Sequence, residues 1–170
     1  KLEAKQEQRL YENFNERLNR SDFYFVMGDS LDAPENFDYQ LPIRKHGPVK
    51  VSQGFNGGFS HSDKQNRYAV DFAADVGTDI VAARAGVVMM VKDNYPMAGT
   101  DPFFLDKANR IVVLHDDGTL GVYAHILLGS ASVMPGANVT VGQKLAEVGS
   151  NGFSTGPHLH FVIWYNKKGK

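Results

Sequence analysis

Two hydrophobic periods divide the chain. Through residues 1–20 the apolar side chains Leu10, Tyr11, Phe14 and Leu18 recur at the spacing of one helical face, and Glu16 and Arg20 add an i,i+4 pair of opposite charge. That pattern predicts a charged amphipathic helix. Residues 29–48 carry Pro34, Pro42 and Pro48 without a period, which predicts an irregular connection. From about Val49 the period shortens to two, in runs separated by glycine turns: 49–53, 68–73, 86–92, 110–116, 119–126, 144–148 and 158–164. Asp117-Gly118 suits a hairpin turn between the fourth and fifth runs. Helices do not alternate with these strands, which argues against a parallel α/β sheet. The expected fold is mainly antiparallel β with an N-terminal helical extension, divided into a helical and extended segment over 1–45 and a β domain over 46–170.

Two segments depart from the alternation. Residues 54–66 are glycine-rich and polar, and residues 93–109 form a long loop holding Pro96, Gly99 and Pro102. Loops of that length in a compact domain often form functional rims. Tyr95, Phe103 and Phe104 give the second loop enough apolar surface to wall a groove.

Composition narrows the chemistry. The chain has 170 residues, 42% hydrophobic and 22% charged, with a formal net charge of −1. That is enough for one ordinary core and too apolar for a disordered chain. The near-zero charge supplies no global basic field, so a nucleic-acid partner is not expected. The longest apolar runs, 87–91 and 111–114, fall far short of a membrane span. With no cysteine, disulfides, thiol nucleophiles and thiolate metal sites are excluded. A transition metal here must be held by histidine nitrogen and carboxylate oxygen. Lys1 at the start, in place of Met, suggests a processed or trimmed chain, and no signal peptide is read in these residues.

Four of the six histidines fall in strands or at their edges. His158 and His160 are i and i+2 of one strand and point to one face, while Leu159, Phe161 and Ile163 point to the other. In RYAVDFA, Asp71 sits between Ala69 and Ala73, opposite the bulky Tyr68, Val70 and Phe72; an acid inside a strand runs against propensity. In the run 119–126, strict alternation puts Tyr123 and His125 together on the polar face. His61 follows a glycine loop, which suits a ligand delivered from a flexible edge. His115 lies in a strongly apolar strand, a place for a satisfied core histidine or one that supports a site from behind.

Together these stretches, in this order, resemble the lysostaphin-type (LytM-like) zinc metallopeptidases that cut peptidoglycan peptides. The resemblance runs over residues 53–164, about two thirds of the chain. It is carried by SHSDKQNRYAVDFA (60–73), GTDIVAARAGVV (77–88), DDGTLGVYAHI (116–126), VTVGQKLAEVGSNG (139–152) and STGPHLHFVIW (154–164). By that resemblance His61, Asp71 and His160 are the ligands of one zinc ion, and His125 and His158 are the catalytic histidines that do not bind it. Tyr123 is then expected either to hydrogen-bond near the oxyanion or to pack. One departure stands out: His61 and Asp71 are ten positions apart, a longer gap than the common family pattern, and Asp63 inside that gap is the rival carboxylate. Asp71 is preferred because VDFA leads into the GTDIVAARAG segment.

The resemblance implies a zinc-dependent endopeptidase, built on a β-sheet with a groove, that hydrolyses peptide bonds in peptidoglycan stems or cross-bridges through a zinc-activated water. No HExxH is present, so His125 and His158 are the groups available to move protons near neutrality. An exported monomer is expected, working in the periplasm or cell wall on peptidoglycan peptides. Glycyl-glycine bridges and D-alanyl–diaminopimelate cross-links both lie in the family's range. The alternative is a catalytically inactive member that binds cell-wall hydrolases or peptidoglycan as a regulator, but such domains are expected to have lost ligands or catalytic histidines, and all five positions are filled here. A cupin reading of His-x-His fails because only ten residues follow His160.

Overall fold

A computed structural model describes residues 36–165. The helix expected over residues 1–20 lies outside them. The described chain forms β1 (Ile43–Arg44), β2 (Lys50–Gln53), β3 (Val70–Ala73), β4 (Asp79–Val81), β5 (Gly86–Lys92) and β6 (Ala98–Gly99). A 3-10 turn at Pro102–Phe104 precedes β7 (Arg110–Leu114), β8 (Leu120–Ala124), β9 (Asn138–Val139), β10 (Lys144–Glu147), β11 (Gly152–Phe153) and β12 (His158–Trp164). All seven runs of period two are strands, most of them trimmed by one to three residues. The short strands β1, β4, β6, β9 and β11 carry too few residues to show a period, and alternation does not reveal them.

Seven strands form one sheet in the order β2-β3-β12-β8-β7-β5-β9, with every pair antiparallel. A three-stranded antiparallel sheet, β1-β4-β10, and a parallel pair, β6 and β11, complete the structure. The turn between β7 and β8 closes through His115 N–H donating to the Thr119 carbonyl at 2.9 Å, with Gly118 at φ +77°, a conformation in which a side chain would be strained.

Alternation decides which face each residue takes. Ile111, Val113, Tyr123, Leu159 and Phe161 point toward the small sheet and pack with Ile43, Ile80, Leu145 and Ala146 in the main core. Asp71, His160 and Ala124 are paired neighbours on the opposite face, in a row across β3, β12 and β8. Further along that face Val112, Leu120, Val122 and Val162 form a second, smaller apolar cluster. The polar row is therefore backed by the main core on the opposite face of the sheet.

The segment before β2 is pinned to the domain from behind. Arg84, almost fully buried, donates to the Asp117 carboxylate at 2.8 Å and also pairs with Asp116. The Phe37 ring lies 4.0 Å from its guanidinium, and Tyr39 hydrogen-bonds Thr119 Oγ1 at 3.2 Å.

Candidate metal centre

The antiparallel register brings the first two ligands together. His160 on β12 lies directly opposite Asp71 on β3, and its Nδ1 stands 2.9 Å from Asp71 Oδ1. The loop 54–66 delivers the third: His61 Nε2 is 3.1 Å from the same oxygen and 3.3 Å from His160 Nδ1. His61 is fully buried, and Asp71 and His160 nearly so. Among the described residues this is the one group of three or more histidine and acidic residues whose ligand atoms converge in this way.

Those separations fall within a few tenths of an ångström of the spacing around a tetrahedral ion. With bonds of roughly 2.0–2.2 Å to histidine nitrogen and carboxylate oxygen, ligand atoms of a tetrahedral zinc lie about 3.3–3.5 Å apart. The donor types are right for zinc, and three protein ligands leave a fourth position for water or substrate, as in catalytic rather than structural sites. His61, Asp71 and His160 are thus positioned to coordinate a single zinc ion. Asp63 is not part of the cluster: its carboxylate accepts from Gln65 N, Asn66 N and Asn66 Nδ2 at 2.7–3.0 Å and caps its own turn.

The surrounding bonds orient the ligands. His61 Nδ1 lies 2.9 Å from the Gly54 carbonyl. A carbonyl only accepts, so Nδ1 carries the proton and Nε2 presents its lone pair to the cluster. Burial raises the Asp71 carboxyl pKa, but the His160 hydrogen bond and the charges of His160, His158 and His61 more than offset this and hold it ionised.

Gln53 is a residue that periodicity does not reveal. It grips Asp71 Oδ2 with Nε2 at 3.0 Å, gives a bond to Ser60 Oγ at 2.8 Å and accepts from Phe59 N at 3.2 Å. One side chain therefore joins the His61 loop to the Asp71 ligand. A bulge makes this reach possible. The β2–β3 register pairs Val51 with Phe72 and then Gln53 with Asp71, so Ser52 is the extra residue that re-aims Gln53.

His125 and His158 lie beside the ligands, their rings 4.5 Å apart, with the His125 ring 5.9 Å from that of His160. The expectation that Tyr123 and His125 share a face is not met. His125 follows the end of β8 with φ +63°, a left-handed conformation that breaks the alternation and turns its ring to the ligand side. Gly149 allows this: a Cβ there would come within 2.7 Å of Leu127 Cα and 3.0 Å of the His125 carbonyl. His125 Nδ1 donates to the Asn151 carbonyl at 2.6 Å. Burial, aided by the neighbouring His158, pushes its pKa down to about 3, so the ring is neutral at ordinary pH. His158 Nδ1 donates to the Gly156 carbonyl at 2.9 Å, leaving Nε2 3.9 Å from Asp71 Oδ1.

Tyr123 is directly opposite Phe161, in the main core, and its hydroxyl accepts from Ala83 N at 2.9 Å. Burial raises its pKa and keeps it protonated. His115 sits beyond the far end of β8, with Nδ1 donating to the Ala85 carbonyl at 2.9 Å and Nε2 without a hydrogen-bond partner. Both stand away from the ligands: Tyr123 packs, and His115 is a core histidine satisfied at one nitrogen only.

The cluster opens onto a cleft of about 430 Å³ whose lining includes His125, His160, Phe59, Phe153, Arg110 and Trp164. The loop 93–109 does wall it, through Thr100, Pro102, Leu105 and Ala108. Tyr95, Phe103 and Phe104 are not among the lining residues; the Phe103 ring is mostly exposed and packs edge-on against Phe104.

Two histidines and an aspartate positioned for a single metal, two of them on an antiparallel sheet and beside two further histidines and an open cleft, define a mononuclear zinc-site domain. The chain belongs to peptidase family M23, whose model matches residues 65–170; Asp71 and His160 fall inside the match and His61 four residues before it. The peptidoglycan DD-endopeptidase ShyA of Vibrio cholerae is 29% identical over 158 residues, covering 93% of this chain and 30% of ShyA. Glycyl-glycine endopeptidase ALE-1 of Staphylococcus capitis is 33% identical over 116 residues, 68% of this chain and 27% of ALE-1. A zinc-containing peptidase from Vibrio cholerae superposes with a TM-score of 0.56 at 26% identity, covering 76% of this chain and 37% of that structure. The chain thus spans less than a third of the length of these curated relatives.

Proposed function

We propose that this chain is a zinc-dependent endopeptidase that hydrolyses peptide bonds of peptidoglycan stems or cross-bridges. The observation that carries this reading is the trio of ligand atoms 2.9–3.3 Å apart, facing a cleft and flanked by two histidines whose Nδ1 atoms are committed to carbonyls. Zinc bound there supplies a Lewis acid for the scissile carbonyl and lowers the pKa of a coordinated water to near 7.

The chain's own residues do the rest. His61, Asp71 and His160 hold the ion. With each Nδ1 committed to a backbone carbonyl, His125 and His158 present Nε2 to the site, which suits proton transfer. Between them they take the proton of the attacking water and return one to the leaving amine. The cleft walls of Phe59, Phe153 and Trp164 exclude water from one side of an extended peptide. ShyA and ALE-1, whose names give peptidoglycan and glycyl-glycine bonds as targets, support a cell-wall substrate and a site of action outside the cytoplasm.

The test is digestion of purified peptidoglycan of the diaminopimelate and the glycine-bridged types, with mass spectrometry of the released fragments. Zinc-loaded protein should release peptide fragments from at least one type, and a chelator should stop it. Both types left intact across pH 5–9 by zinc-loaded protein would overturn the peptidase reading in favour of a regulatory, binding-only domain.

A further inference from the structure

The polar row on the large sheet does not end at the metal ligands. Register pairs Gln53 with Asp71, Asp71 with His160, His160 with Ala124, Ala124 with Arg110 and Arg110 with Lys92, so six residues on six neighbouring strands lie in line. Arg110 is two strands from His160, which places their backbones about 10 Å apart. Ala124 between them is too small to fill the floor. Arg110 also lines the cleft that His160 and His125 line.

Its surroundings are unusual for a partly buried arginine. Arg110 Nε is buried without a hydrogen-bond partner, and the guanidinium meets no carboxylate among the described residues. The acid on the same cleft wall, Asp63, is engaged by the backbone and side chain of its own turn. Lys92, its neighbour in the row, donates instead to the Asp106 carbonyl at 3.2 Å. The Nε atom is covered by protein, so the outer nitrogens of the guanidinium are the ones left to meet a ligand in the cleft, and their fork matches a carboxylate with two parallel bonds.

We propose that Arg110 is a specificity residue that binds a free carboxylate of the peptide substrate, one or two residues along the cleft from the scissile carbonyl. This rests on the peptidase reading above and sharpens its substrate class. Stems and cross-links built with diaminopimelate carry carboxylates along their length, whereas a glycine bridge has none between its ends. The cleft therefore selects the anionic cross-link over the polyglycine one.

The single tryptophan, Trp164, lines the same cleft and reports binding without turnover. Zinc-loaded protein is titrated with an un-cross-linked diaminopimelate tetrapeptide stem, and with the same peptide amidated at every carboxylate. The free-acid peptide should bind wild type about ten- to hundredfold more tightly than the amidated one. That gap should close in Arg110→Gln and be partly kept in Arg110→Lys, with both variants matching wild type in thermal melting. Equal affinity of wild type for the two peptides, or a gap undiminished in Arg110→Gln, would overturn the proposal. Hydrolysis separates it from the broader reading. Zinc-loaded wild type that cuts pentaglycine but not a diaminopimelate dimer would overturn the Arg110 proposal and leave the peptidase reading standing. Cutting neither while the binding gap holds would do the reverse.

Discussion

Gln53 Nε2 donates to Asp71 Oδ2 at 3.0 Å, so the oxygen that does not face the two histidines is held by a side chain from the adjacent strand. The same nitrogen also reaches Ser60, next to His61 in the chain. Removing this tie frees the carboxylate to rotate and loosens the loop that carries a ligand. Gln53→Ala should weaken zinc affinity about 10–100-fold, the usual cost of losing a partner behind a metal ligand, as read by competition with a chelating dye. Gln53→Glu, which swaps the donor for a second carboxylate, should not restore it.

In the proposed reaction His125 moves protons and does not hold the metal, so its loss separates the two functions. His125→Ala should bind one zinc per chain like wild type yet lose about 10²–10⁴-fold in kcat, checked by elemental analysis and a peptide-cleavage assay on the same sample.

How much of this was legible beforehand differs from residue to residue. The i,i+2 spacing of His158 and His160 survives folding because β12 is regular from end to end, and the Asp71 face follows from strict alternation in β3. Where the backbone departs from the strand, period two gives the wrong face. His125 at φ +63° is turned away from Tyr123, and the extra residue Ser52 re-aims Gln53, so one pairing was expected wrongly and one ligand support went unseen. The hydrogen-bond partner of His125 Nδ1, the Asn151 carbonyl, comes from a residue 26 positions away, which no local pattern can signal.

Tyr123 belongs to the packing behind the site. Tyr123→Phe leaves Ala83 N–H buried without its acceptor and should lower stability by about 1–3 kcal/mol in denaturant titrations. It should leave kcat essentially unchanged, since the hydroxyl faces the core. A large fall in kcat with little loss of stability would place the hydroxyl in the reaction instead.

The Arg84–Asp117 pair should set part of the acid limit of folding. Burial raises the Asp117 pKa, but its bonds to Thr119 and the Arg84 guanidinium more than offset this and bring it down to about 2, below its ordinary value of 3.8. A depressed carboxyl pKa stabilises the fold above the unfolded value, and this contribution is lost as pH falls through the folded value. About 2 kcal/mol should therefore disappear between pH 4 and pH 2. In Asp117→Asn that part of the pH dependence should be missing from thermal melts, with the variant less stable at pH 7.

The central claim is that His61, Asp71 and His160 together form one zinc site. Elemental analysis of purified wild type and His160→Ala after equal exposure to zinc and desalting tests it most directly. The expected result is one zinc per wild-type chain and less than about a tenth of that in the variant, with the variant still folded by circular dichroism. A folded His160→Ala protein that keeps a full equivalent of zinc would contradict the assignment.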